Sequence, residues 1–377
     1  MKRVIVIGCG FGGLSSVETL CKFRKRHDIM VIVIDKGLNF NFLPLLPDVI
    51  GRQIDSRFLI YPIKDLSQRY SFGVINAQVT EVNLEEKKVY ILAQHFDYDY
   101  LIIASGSETN FYGNEQIKQY AYKLDDAEDA KVIQDTVEKE DFDSYLVAGG
   151  GYTGIEVATN LRRKLVRNSP NKRIIIIERS PSILGPLPQW MKEYVNENLE
   201  KLDIEVLLNA VIDKVDKNSV YLASGAVFHN AMLIWAAGVK TSQYIEDLKI
   251  EKNPQGRLKV DEYLRLNDSC FAVGDAAYFL HKNSFLRMAV QFAIAEGECA
   301  AKNIINSIKG RKLKKYKPMD LGYIIPMANN FSCGRVFGFD FKGRVPTLLH
   351  YLMCLYRSFG FRNKSGIICN LLRGGEV

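Results

Sequence analysis

The feature that most narrows what this chain can become is a strand, glycine turn and helix that occur twice. Val4 to Ile7 form a short apolar run, and Gly8, Gly10 and Gly13 follow with the spacing G-x-G-x-x-G. The first glycine allows a tight turn, the second lets backbone approach a pyrophosphate, and the third lets the helix lie against its strand. A second apolar run, Met30 to Ile34, ends in Asp35, 22 residues beyond Gly13, where a carboxylate can accept from a ribose hydroxyl. The same order returns as Tyr145 to Ala148, Gly149, Gly151, Gly154, then Ile174 to Ile177 and Glu178. A helix N-terminus carries unpaired N–H groups and partial positive charge, so each copy favours a dinucleotide's phosphates. Two copies predict an α/β chain with two Rossmann-like domains and two bound dinucleotides.

The 377 residues are enough for two or three domains. The net charge of +7 is unevenly placed. Residues 309–377 hold thirteen Lys and Arg against three Asp and Glu, a net of +10, and the rest carries 37 against 40. An anionic partner or surface is therefore expected at the C-terminal end. None of the seven cysteines forms C-x-x-C or a metal-ligand spacing, which fits a reducing compartment and no metal site. Lys2 and Arg3 before VIVIGC are followed by too short an apolar run for a signal peptide. No run approaches the length of a spanning helix.

In chain order, NFNFLPLLPDVIGRQID (39–55) carries Pro44 and Pro47, which argue for an irregular segment beside a ligand or in the core. AQVTEVNLEEKKVYIL (77–92) alternates as antiparallel strands with a turn at Glu85–Lys88. YDYLIIASGSETNFYG then returns a strand to a small-residue turn at Ala104–Gly106. Asp125 to Lys139 reads as a helix with one polar face. Glu156, in the first turn after Gly154, either answers the helix dipole or faces the second nucleotide. Glu178 favours a free 2′-hydroxyl over a 2′-phosphate, hence NADH over NADPH. Asp275 follows the strand CFAVG, and LRMAVQFAIAEGECAAKNII (286–305) predicts a long helix whose Gln291 needs a partner if buried. The tail predicts a strand pair turning near Asp340–Gly343, then an apolar and basic segment from Pro346. That segment is either a core helix or one lying in a headgroup plane. His350 is read as packing.

These residues resemble the two-dinucleotide-binding-domain flavoproteins, and among them the type II NADH:quinone oxidoreductases. IIASG and AVGD are general to that superfamily; FLPLLP, YDYLIIASGSETNFYG, ILGPLP (183–188) and IWAAGVK are more particular to the type II enzymes. The resemblance implies FAD at Gly8, Gly10, Phe11, Gly12, Gly13, Asp35, Lys36, Pro44, Ala104, Ser105, Gly106, Gly274, Asp275, Val290 and Gln291. It implies NADH at Gly149, Gly151, Tyr152, Thr153, Gly154, Glu156, Glu178, Ala237 and Gly238. Glu156 and Gln291 take the catalytic positions. The implied reaction is hydride transfer from NADH to FAD and delivery of two electrons to a membrane quinone. The family's A-Q-x-x-x-Q helix is only half present, because Ala295 replaces the second glutamine. No cysteine lies between Cys21 and Cys270, which sets the chain apart from relatives using a disulfide or a mid-chain cysteine beside the flavin.

The expected organisation is residues 1–110 and 240–315 as a discontinuous FAD-binding domain, 111–239 as an inserted NADH-binding domain, and 316–377 as a C-terminal membrane-associating region. The resemblance places the protein peripherally on the cytoplasmic side of the cell membrane, with a second copy of the chain as an allowed partner and nucleic acid not expected. The alternatives are a soluble NAD(P)H-dependent reductase of a ferredoxin- or rubredoxin-type acceptor, or a nucleic-acid-binding flavoprotein using its basic tail.

Overall fold

The computed structural model describes residues 1–92, 94–281 and 284–373, without the side chains of residues 24–27 and 167–168. By contacts the chain divides into two compact units. One comprises Met1–Phe40, Tyr61–Glu108 and Val239–Asp320; the other comprises Asn41–Ile60, Thr109–Gly238 and Leu321–Val377.

The first unit is built on a five-stranded parallel sheet. Its spatial order is Cys270–Ala272, Tyr100–Ile103, Lys2–Ile7, Ile29–Asp35 and Gly73–Asn76. The glycine-bearing strand is central, and Val4, Ile5 and Val6 are wholly buried. That is why the run is continuously apolar rather than alternating. Helix Phe11–His27 leaves the first glycine turn and packs along helix Val290–Ile308. Small residues make this contact close: a Cβ at Gly297 would lie 2.2 Å from the carbonyl oxygen of Gly12. Ser15 and Ser16 donate to the carbonyls of Ile294 and Gly297 at 2.7 and 3.1 Å.

The second unit repeats the plan with four parallel strands, in the order Ile204–Leu207, Arg173–Ile177, Ser144–Ala148 and Ala231–Trp235. Helix Tyr152–Asn168 leaves the second glycine turn and receives helix Leu46–Gly51, where Gly51 abuts the backbone of Asn160. An antiparallel sheet of Gly322–Ile325, Ser332–Val336 and Phe339–Gly343 leads to helices Arg344–Arg357 and Phe361–Arg373.

Three local expectations change. The double-proline segment is helical, as a 3-10 turn at Leu43–Leu45 and helix Leu46–Gly51, because each proline sits in a first turn where its missing N–H costs nothing. The tail hairpin turns at Phe337–Gly338, not Asp340–Gly343. Both residues there have positive φ (50° and 85°), and Asp340 instead pairs across the ladder with Arg335. The segment from Pro346 is two helices, interrupted at Ser358–Gly360 where Gly360 has φ 76°.

The Gly297 contact should tolerate no side chain. Gly297→Val is expected to lower the unfolding free energy by about 1–3 kcal/mol through overpacking, measured by denaturant titration, whereas Ala295→Val on the same helix should change it much less.

Candidate functional site

Each glycine turn is held by the same set of contacts. Gly8 N donates to Ile34 O and Gly149 N to Ile177 O, both at 2.8 Å, so each turn starts on the neighbouring strand. Gly8 and Gly149 have φ of 93° and 104°, and a Cβ on either would strike the carbonyl of Ala104 or Ala236. Asp35 accepts from the amides of Cys9 and Gly37 at 2.6 and 2.7 Å. Glu178 accepts from those of Gly150 and Ser180 at the same two distances. In each unit a carboxylate at the end of one strand thus fixes the glycine loop that leaves the strand before it.

Both turns leave room where a dinucleotide needs it. A Cβ at Gly13 or Gly154 would lie 1.9 Å from a carbonyl of its own turn, so those glycines serve packing. A Cβ at Gly10 or Gly151 would meet nothing within 4 Å, so these glycines leave space on the ligand side. Neither of the two helices has an acid in its first turn: the second begins at Tyr152, before Gly154, so Glu156 lies past the first turn expected for it, and Gly151 caps that helix without a side-chain bond. Both starts therefore set backbone amides and the positive end of the helix dipole on the side the glycines leave open, which suits an anion. The residues present fit two pyrophosphates.

Around the first turn the structure gathers most of the residues expected there. Gly12 lies under Val273 and Gly274, and Phe11 packs edge-on against Phe40 with ring centroids 5.0 Å apart. Asp275 accepts from Ser107 at 2.8 Å, and Ser105 receives the Tyr244 hydroxyl at 2.9 Å. Burial pushes Asp275 up, opposed by Ser107 and Arg257. Burial also raises Asp35, against the two amides, and lifts the Cys9 thiol to about 12, which leaves it unreactive. Lys36 is exposed and pairs with Glu108. Gln291 has a side-chain partner: its amide donates to Asp320 at 3.2 Å, beside the Arg287–Asp320 ion pair. Pro44 lies in the other unit, in the turn Leu43–Leu45.

Around the second turn, Ala236 and Ala237 back Gly149, and Glu178 touches Gly150. Tyr152 packs edge-on with Tyr323, and Thr153 is exposed. Burial works to raise Glu178, but the Ser180 and Gly150 amides outweigh it and hold the carboxyl below its ordinary range. Glu156 goes the other way, pushed well up by burial and then by Asp48, which favours the neutral acid.

Several residues of these sites carry no sequence signal strong enough to single them out. Asp48 accepts from Tyr351 at 2.9 Å and pairs with Arg52 at 3.0 Å, all on elements packed near Glu156. His350 lies against Tyr351 and 3.6 Å from the Cys354 sulfur, and burial lowers its pKa. Glu296, only 3% exposed, accepts from Gly274 N at 2.7 Å. Its position three and four residues from Ala293, Phe292 and Ala300 on one helix face is a legible sign of burial.

Known proteins share this arrangement. A family model described as pyridine nucleotide-disulphide oxidoreductase matches residues 2–297. A curated relative from Staphylococcus haemolyticus, named type II NADH:quinone oxidoreductase, is 26% identical over 91% of this chain and 92% of its own. The structure of NDH2 from Plasmodium falciparum in complex with NADH superposes with a TM-score of 0.86 at 20% identity, over 100% of this chain and 98% of that one. The sulfide:quinone oxidoreductase of Aquifex aeolicus superposes at 0.79 and 17% identity, over 97% and 92%. At such identities the two solved structures speak for the fold.

Burial drives the Glu296 carboxyl up to about 8, against the opposing Gly274 amide and Arg257. Raised above its unfolded value of about 4.3, it contributes stability that is present below that value and is lost as pH rises toward 8. Thermal unfolding between pH 5 and 9 should therefore show a falling Tm that Glu296→Gln makes shallower.

Proposed function

The chain belongs to the pyridine nucleotide-disulphide oxidoreductase family, and from that premise we propose that it is a type II NADH:quinone oxidoreductase, using FAD to carry electrons from NADH to a quinone. The observation that carries this reading is the pair of complete glycine turns, one in each unit, each with a ribose-side carboxylate and open space at a helix N-terminus. FAD is assigned to the first and NADH to the second. The names and near-full coverage of the curated relatives support the assignment.

FAD, when bound, supplies the hydride-accepting and electron-delivering chemistry; the chain binds and orients. Asp35 takes the adenosine ribose, the amides around Gly10 take the pyrophosphate, and the Asp275 carboxylate takes the ribityl hydroxyls, steadied by Ser107. Lys36, Ala104–Gly106 and Val290 complete that side. Glu178, kept ionised by its two amide donors, accepts from the ribose hydroxyl of NADH and repels a 2′-phosphate. Gly149, Gly151, Tyr152, Thr153, Gly154, Ala237 and Gly238 shape the remainder of the pocket. Glu156, favoured as a neutral acid, presents a proton donor on the nucleotide side. Gln291, with its amide nitrogen on Asp320, serves the acceptor side.

NADH oxidation should far outpace NADPH oxidation, and Glu178→Ala should narrow the ratio by weakening NADH. Steady-state assays with quinones and with iron–sulfur protein acceptors check this: activity with protein acceptors alone, or a native preference for NADPH, refutes it.

The tail supports attachment to the cytoplasmic face of a membrane. Among the described residues no helix is long and apolar enough to cross one. Helices Arg344–Arg357 and Phe361–Arg373 nevertheless expose Leu348, Leu352, Tyr356 (78%), Phe361 (88%) and Leu372 (75%), with Arg344, Arg362 and Arg373 also exposed on these helices. Residues 374–377 lie outside the described residues. Buried apolar groups and about 1 kcal/mol for each basic residue near anionic lipid add up to salt-sensitive binding. Because Tyr351 bonds Asp48 and Gly366 abuts Phe58, removal of the tail would open the core. Paired Leu352→Asp and Phe361→Asp substitutions avoid that, and should leave the protein in the supernatant after sedimentation with anionic vesicles that pull down the unaltered chain.

A further inference from the structure

We propose that Tyr112 is a specificity-determining residue of the nucleotide site in the second unit, its ring forming the wall for the nicotinamide riboside half of the dinucleotide. The inference rests on the NADH assignment above and adds a residue to it.

Sheet order decides which end of the ligand comes near. In an open parallel sheet, ligands lie outside the carboxyl ends of the strands. Strand Ser144–Ala148, which leads into the glycine turn, has Arg173–Ile177 on one side and Ala231–Trp235 on the other. The first neighbour ends in Glu178, the ribose-side acid of one nucleoside. With its pyrophosphate over Gly151, a dinucleotide must extend its other nucleoside toward the residues just past the second neighbour, Ala236 to Gly238. Gly149 is pressed against that stretch, since a Cβ on it would lie 2.7 Å from Ala236 O and 3.1 Å from the Cα of Ala237.

Tyr112 stands on that stretch. A Cβ at Gly238 would lie 2.3 Å from the tyrosine hydroxyl oxygen, so the ring occupies the space that any other residue at 238 would claim. Gly238 has φ 107° and Tyr112 itself has φ 52°, a left-handed conformation that is a real outlier for a bulky residue. Such strain persists only when the surroundings over-determine it, and here they do. Tyr112 N donates to Asn110 Oδ1 at 2.8 Å, Asn110 N to Gly238 O at 3.1 Å, and Trp235 Nε1 to Asn110 O at 2.9 Å. Phe111 lies against the Trp235 ring, with centroids 6.3 Å apart. The turn is thus tied at several points to the end of one strand. Yet Tyr112 as a whole is 66% exposed, so packing within the protein does not account for the effort. A rigid, exposed aromatic face offers stacking to another ring at little entropic cost.

The test compares NADH with ADP-ribose, which keeps the adenosine ribose and both phosphates but lacks nicotinamide. Dissociation constants are measured by titration calorimetry on the full-length, FAD-loaded protein whose flavin has first been chemically reduced under anaerobic conditions, so that no hydride transfer contributes heat. Tyr112→Ala should weaken NADH by roughly threefold to tenfold, the range of one aromatic pair, and leave ADP-ribose within about twofold. Tyr112→Phe, which keeps the ring, should bind both as the unaltered protein does. Equal weakening of both ligands by Tyr112→Ala would mean a merely structural role and overturn the proposal, as would unchanged NADH binding or a Phe variant as impaired as the Ala one. Glu178→Ala serves as the separate control: it should weaken both ligands, and if it weakens neither, the NADH assignment itself fails.

Discussion

Both units depend on one steric constraint, the seating of a helix directly on the strand turn that precedes it. At Gly13 and Gly154 only a hydrogen atom fits, because a Cβ would lie 1.9 Å from the carbonyl of Gly8 or Gly149. With the helix that close, its first amides are carried over the carboxyl end of the sheet, where Gly10 and Gly151 leave open space. The neighbouring strands then complete the rim: Ala104 and Ala236 abut Gly8 and Gly149, and Asp35 and Glu178 tie down the amides just beyond those glycines. Lose the close seating, and the helix-start amides, the strand-end carboxylate and the flanking turn no longer converge.

The depth of burial, set against the amide hydrogen bonds, then decides the charge each acid carries. Asp35 and Glu178 accept from two amides at matching distances, yet the more deeply buried Asp35 is raised and Glu178 is lowered. An ionised acid at the surface is what discrimination against a 2′-phosphate requires. Glu156, Asp275 and Glu296 all sit where burial pushes them toward the neutral form. A neutral carboxyl can donate as well as accept, which widens what these positions can do for a ligand or a proton.

The C-terminal helices face two environments at once. One side of Arg344–Arg357 places Tyr351 on Asp48 and Cys354 in the core, while Leu348, Leu352 and Tyr356 project outward. Because the first face is anchored by a buried carboxylate, the second is held out as a fixed apolar surface. The break at Gly360 lets the next helix turn and set Gly366 on Phe58, leaving Phe361 and Leu372 exposed as well.

What the sequence alone determined was everything governed by residues close together along the chain. The glycine turns, the buried strands and the acids at Asp35 and Glu178 are specified within about 35 residues by spacing, hydrophobic run and backbone sterics, and all are legible there. The helical double-proline segment is not, because a proline breaks a helix interior but begins a first turn, and only the placement of Leu46–Gly51 on Asn160 shows which applies. The tertiary structure alone decided that Gln291 bonds Asp320, that Glu296 lies beneath Gly274, that Asp48 meets Tyr351 across some three hundred residues, and that Tyr112 stands on Gly238. Each of these depends on where distant segments are brought by the sheets, and local backbone preference carries no information about the partner a side chain meets once the chain has closed on itself.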